Sequence, residues 1–167
     1  MLDVTLRRVL KDVEDLIVMI EARTAKVSLY NVCRHNVAVL QGEYWLKIKG
    51  QLDTRRLQKI SSYSAYFIFK FKFEPQRFEA FTSVRYINDK RSDSENQRCQ
   101  VFLTEKRSSE DPGRFSNCRH DGWMEIKLGD FYISSRNEGD VEMQLWNFEN
   151  EHWKSGLIVK GIEVRPN

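Results

Sequence analysis

The chain has 167 residues, with 27 Lys and Arg against 24 Asp and Glu, for a net charge of +3. Ten Phe, six Tyr and four Trp stand against only eight Gly and three Pro, a composition that excludes a disordered linker or a fibre. So small a positive surplus argues against a nucleic-acid-binding surface, and the length fits one domain with a sizeable core.

Residues 1–26 are expected to form an amphipathic helix. Leu6, Val9, Leu10, Val13, Leu16, Ile17 and Ile20 recur at the spacing of one helical face, with Asp3 as N-cap and charged residues opposite. The segment carries five basic and five acidic side chains, unlike the cationic helices that lie on membranes, so no membrane partner is expected. The apolar stripe instead suits packing on the main domain or on a second copy, as in a homodimer. The run Leu16–Ile20 is too short to span a bilayer or to form a signal-peptide core.

From Tyr44 onward the period changes from helical to two. Tyr44, Leu46 and Ile48 alternate with Trp45, Lys47 and Lys49. Tyr63, Ala65, Phe67, Phe69, Phe71 and Phe73 then occupy one parity of a longer run, which predicts a half-buried strand. Shorter strands are expected around 83–87, 100–104, 124–128, 141–148 and 157–165. Polar stretches separate them, and those at 91–97 and 107–111 read as loops. Strands in this number without intervening helices predict an all-β, antiparallel sandwich.

Catalytic signals are weak. His120-Asp121 has the residue types of an oriented base, but no nucleophile motif accompanies it, and no Gly-rich phosphate loop occurs. Cys33-Arg34-His35 and Cys118-Arg119-His120 together offer two thiols and two imidazoles, yet their ligand spacing is tighter than structural zinc sites use. Neither an enzyme, nor a metal, nor a cofactor is expected. Three cysteines cannot all pair with one another, and no Asn-x-Ser/Thr acceptor occurs, which together favour a reducing compartment.

A binding signal is clearer. In 140–149 the inward parity is Val141, Met143 and Leu145, which leaves Trp146 and Phe148 on the polar face of the strand. An outward indole near Asp140, Asn147 and Lys154 suits a sugar ring, whose C–H face stacks on the indole while its hydroxyls bond to the polar groups. A covering helix or partner copy would account for the same rings.

Several ordered blocks carry a family resemblance. His120-Asp121-Gly122-Trp123-Met124-Glu125-Ile126-Lys127-Leu128-Gly129-Asp130-Phe131 is similar to the R-x-D-G-W-x-E-x-x-L-G-E-F block of plant phloem protein 2 lectins, the Nictaba-like family. Asp140-Val141-Glu142-Met143 resembles its G-E-V-E-M segment, and residues 153–166 resemble its closing W-K-S-G-L-I-V-K-G-I-E-x-R-P. Upstream, Trp45-Leu46-Lys47-Ile48-Lys49-Gly50 and Ser62–Lys70 resemble its W-L-x-I-x-G and T-Y-x-A-Y-L-V-F-K strands. The resemblance covers residues 37–167. It implies a jelly-roll-like lectin domain that binds N-acetylglucosamine oligomers and the N-glycan core without metal, in the cytoplasm and nucleus. Asp140 and Asn147 stand at family positions held by glutamates linked to sugar binding. The family's early tryptophans have no counterpart, since no Trp precedes Trp45. Candidate sugar-binding residues are therefore Trp146, Asp140, Asn147, Lys154 and Phe148, with GlcNAc-containing glycans or glycoproteins as partners. The alternative is a protein-interaction module that has kept the fold and lost the sugar site.

Overall fold

A computed structural model describes the backbone of residues 2–10, 13–22, 27–32, 35–40, 46–57, 61–73, 78–88, 98–105, 113–135, 139–148 and 156–167, and side chains from Val37 onward except Arg56. Twelve strands run in chain order: β1 (Leu2–Leu10), β2 (Val13–Ala22), β3 (Val27–Val32), β4 (His35–Leu40), β5 (Leu46–Asp53), β6 (Ser61–Phe71), β7 (Glu79–Tyr86), β8 (Cys99–Glu105), β9 (Arg114–Cys118), β10 (Met124–Ile133), β11 (Asp140–Asn147) and β12 (Leu157–Pro166). One 3-10 turn, Thr54–Arg56, follows β5 and is capped by the Asp53 carboxylate, which accepts from the Arg55 N–H.

The strands form one curled array in the order β1-β2-β5-β11-β7-β8-β9-β10-β6-β12-β4-β3. Every neighbouring pair is antiparallel except β8–β9, where the array turns from one layer into the other. The all-β expectation holds. The two layers face each other over a core that includes Leu46, Ile48 and Leu52 of β5, Val141, Met143 and Leu145 of β11, Phe67 and Phe69 of β6, and Ile126 and Leu128 of β10.

The helix expected over 1–26 is not found. Leu2–Leu10 and Val13–Ala22 are strands that pair as a hairpin, with Val4 opposite Ile20 and Leu6 opposite Val18. β2 then pairs with β5 from Ile17↔Gln51 to Ala22↔Leu46. Without that pairing, β5 would present an open row of backbone N–H and C=O groups, so ladder formation overrides the local helical spacing. Leu16, Val18 and Ile20 also satisfy a period of two, and the β-branched Val4, Thr5, Val9, Val13, Ile17, Val18 and Ile20 favour extended backbone.

The aromatic run of β6 behaves as expected up to its end. Tyr63, Ala65, Phe67 and Phe69 are buried and Phe71 packs partly against the core, but Phe73 is 72% exposed because the strand stops at Phe71. Phe67 and Phe69 stack at 5.2 Å, and Phe69 meets Phe71 edge-on at 5.5 Å.

Two bulges reset the inward parity on either side of β6. In β10 the register with β6 shifts between Lys127 and Gly129, so burial falls on Ile126 and the bulged Leu128, and past it on Phe131 and Ile133. In β12 it shifts between Val159 and Gly161, whose φ of 145° suits glycine, and burial passes from Leu157 and Val159 to Ile162. The strand expected to stop at Leu128 thus continues to Ile133. The stretches 91–97 and 107–111 lie outside the described residues.

Candidate functional site

β11 lies inside its layer, hydrogen-bonded to β5 on one side and β7 on the other. Val141, Met143 and Leu145 anchor it to the core, which turns Asp140, Glu142, Gln144 and Trp146 to the outer face. Three rows of side chains cross that face, each set by the register.

At the Asp140 end, the Gln51 amide donates to Asp140 Oδ2 at 2.8 Å. In the middle, Glu142 accepts from Lys49 Nζ at 2.8 Å and from Arg85 at 3.0 Å, and also from the Gln144 amide. Burial alone would raise the Glu142 pKa. The hydrogen bonds from Lys49 and Arg85 outweigh it and hold the carboxyl below its ordinary range. Charged stems thus cover the middle of β11, and Glu142 and Gln144 are buried although they lie on the outer parity.

The far row is aromatic. Trp146 is opposite Lys47 on β5 and opposite Phe81 on β7. Its ring lies 6.1 Å from that of Phe81 at 31°, and 6.5 Å from that of Phe148 at 32°. The Arg98 guanidinium lies 5.5 Å from the centre of the Phe81 ring. Trp146 and Phe81 are half-buried, and Phe148 is 45% exposed. A half-open indole with aromatic neighbours on two sides and the Arg98 guanidinium over one of them can stack an apolar ring face and bond polar groups at its rim.

The five sequence candidates separate on this scaffold. Trp146 and Phe148 meet in the aromatic row. Asp140 is six residues up the same strand, roughly 20 Å away at strand rise, and bonded to Gln51. Asn147 belongs to the inward parity: it is 7% exposed, and its amide donates to the Glu79 carbonyl at 2.6 Å. Lys154 lies outside the described residues, as do Trp45, Trp153, His152 and Cys33. Lys47, Phe81 and Arg98 escaped notice because only strand pairing sets Lys47 and Phe81 beside Trp146 and Arg98 over Phe81, and the sequence does not state which strands pair.

The outer face of the other layer is a charge network. The turn between β9 and β10 closes through Gly122 N–H to Arg119 C=O at 3.0 Å, Arg119 N–H to Trp123 C=O at 2.7 Å, and Trp123 N–H to Asp121 Oδ1 at 3.1 Å. A groove of about 450 Å³ runs past Cys118, Arg119, His120, Asp121, Glu125, Glu163 and Arg165. Arg119 reaches Glu163 at 3.0 Å, and Arg165 reaches Glu125 at 2.6 Å and Glu163 at 2.8 Å. Asp121 serves the Trp123 N–H and Arg119, so its bonds go to the turn rather than to His120. Among the described residues no group of three or more His, Cys, Asp or Glu side chains is placed to hold a metal ion.

Fold and face together define an all-β, two-layer domain that presents its aromatic row on an outer sheet surface. The chain belongs to the phloem protein 2 family, whose profile matches residues 19–166. Among curated relatives from Arabidopsis thaliana, it is 36% identical over 129 residues to "Putative F-box protein PP2-B12", covering 73% of this chain and 45% of that protein. It is 30% identical over 130 residues to "Protein PHLOEM PROTEIN 2-LIKE A5", covering 78% of this chain and 28% of that protein. The chain therefore spans less than half the length of these two relatives. Among solved structures it is similar to one titled "CBM4 structure and function", with a TM-score of 0.47, 10% identity, and coverage of 90% of this chain and 87% of that one.

Proposed function

We propose that this chain is a non-catalytic carbohydrate-binding domain whose platform is Trp146, flanked by Phe81 and Phe148. The observation that carries this reading is the half-open Trp146 ring on the outer face of β11, 6.1 Å from Phe81. Membership of the phloem protein 2 family supports it, and the sequence blocks shared with the lectins of that family make GlcNAc oligomers and the N-glycan core the first ligands to try, in the cytoplasm and nucleus. Calorimetric titration with chitotriose should show binding that Trp146→Ala removes while the variant stays folded. A flat titration of the folded wild-type chain at millimolar sugar would refute the reading.

A second reading, a protein-interaction module that has kept the fold, draws support from relatives named as F-box proteins and from the absence of any Trp before Trp45. It predicts a partner complex, or a second copy, whose assembly sugar does not disturb. Size-exclusion chromatography with light scattering, with and without chitotriose, separates the two.

A further inference from the structure

We infer that the glycan held on the Trp146 face carries a carboxylate, as a uronic acid does, bound at the Arg98 end of the aromatic row. This rests on the glycan-binding reading of that face and adds a charge requirement to it.

The row runs across four strands. Lys47 on β5 is the register neighbour of Trp146, Trp146 of Phe81, and Phe81 of Gln100 on β8. Arg98, two residues before Gln100, sets its guanidinium 5.5 Å from the Phe81 ring centre. Adjacent strands are about 4.8 Å apart, so a ligand ring on Trp146 has Lys47 one strand away on one side and the Arg98-covered Phe81 one strand away on the other.

Three acids of this face are already engaged. Glu142 is held by Lys49 and Arg85, Asp140 accepts from Gln51, and Glu79 accepts from the Gln100 amide at 3.0 Å. The Arg98 guanidinium lies over Phe81 and is paired with none of these three acids. An aromatic platform with a guanidinium at one end, and with the three described acids engaged elsewhere, complements a ligand that is apolar on one ring face and anionic at its edge. Arg98 takes the larger share. Its planar fork can meet a carboxylate through two parallel hydrogen bonds, whereas Lys47 borders Glu21 in the β2–β5 register.

The test compares two ligands of equal length on the full chain: a hyaluronan tetrasaccharide, alternating glucuronate and GlcNAc, and chitotetraose, which is GlcNAc alone. At low ionic strength the acidic ligand is expected to bind about three- to tenfold more tightly, the range that one or two exposed charge contacts supply. The ratio should fall to near one in Arg98→Gln and in high salt, while Trp146→Ala loses both ligands. Equal affinities, or a preference for chitotetraose, with binding still dependent on Trp146, would overturn the charge requirement and leave the carbohydrate reading standing. Binding of neither ligand by folded wild-type protein would remove both.

Discussion

The ammonium of Lys70 lies 4.6 Å from the centre of the Trp123 ring. Lys160 approaches the same ring to 5.1 Å and also reaches Asp121 at 3.7 Å. Lys70 is on β6, Lys160 on β12 and Trp123 just ahead of β10, so one indole ties three adjacent strands on the outer face of their layer. Trp123→Ala is expected to cost about 2 kcal/mol, from lost apolar burial and two cation–π contacts, and Lys70→Met about 0.5 kcal/mol. Urea unfolding monitored by circular dichroism measures both. A Trp123→Ala midpoint equal to that of the wild type would show that the ring is not a clasp.

Stability should fall with acid, partly through Glu142 and Glu163. Burial would raise both pKa values, but Lys49 and Arg85 at Glu142, and Arg165 and Arg119 at Glu163, bring them below the ordinary glutamate value of 4.5. A carboxyl with a depressed folded pKa stabilises the protein above its unfolded pKa, and that contribution is lost as pH falls through the folded value. The unfolding midpoint should therefore drop below about pH 4.5. Glu142→Gln should be less stable at pH 7 by about 1–2 kcal/mol and show a shallower acid slope. Parallel slopes for variant and wild type would contradict this role.

Gly129 of β10 packs directly against Val84 of β7 in the other layer. A Cβ built there would come within 3.0 Å of Val84 Cγ2 and 3.2 Å of Val84 Cβ. Gly129→Val should cost about 1–3 kcal/mol by overpacking, and Val84→Ala in the same chain should recover part of it. A thermal melt of the single and double variants decides it: additive losses would mean that the two residues do not meet.

Asp140 and Trp146 should respond differently to ligand. The two lie at opposite ends of β11, with the Glu142 cluster between them. Asp140→Asn is expected to leave glycan affinity within about twofold, whereas Trp146→Ala costs about 1 kcal/mol or more. Titrating both variants with one sugar tests it; an equal loss in Asp140→Asn would extend the site along the whole strand.

Asn147 is expected to matter for folding rather than for binding. Its buried amide donates to the Glu79 carbonyl, and Asn147→Ala removes that hydrogen bond together with the packing of the buried side chain, at a cost of about 1–2 kcal/mol. Denaturation and titration of this variant should show a lowered midpoint with unchanged affinity for the folded fraction.

The sequence by itself determined the strands whose alternation is unbroken. In β5, the first part of β6, and β11, the period of two follows directly from burying one face of a pleated ribbon, and it correctly set Trp146 and Phe148 apart from Val141, Met143 and Leu145. The shared blocks identified the family. Alternation could not reveal where it breaks: the bulges at Gly129 and Gly161 reverse parity within a strand, and Phe73 follows the pattern past the strand's end. Local spacing also misled at the N-terminus, where Leu6, Val9, Leu10, Val13, Leu16, Ile17 and Ile20 satisfy a helical face while the edge of β5 takes the segment as strand. The candidate site depended most on tertiary structure. Trp146 is visible in the chain, but Lys47 and Phe81 become its neighbours, and Arg98 that of Phe81, only through β5–β11–β7–β8 pairing, which joins residues up to 99 positions apart. Strand partners are chosen by the burial and backbone hydrogen bonding of the whole array, so the short-range pattern around any one residue does not contain them.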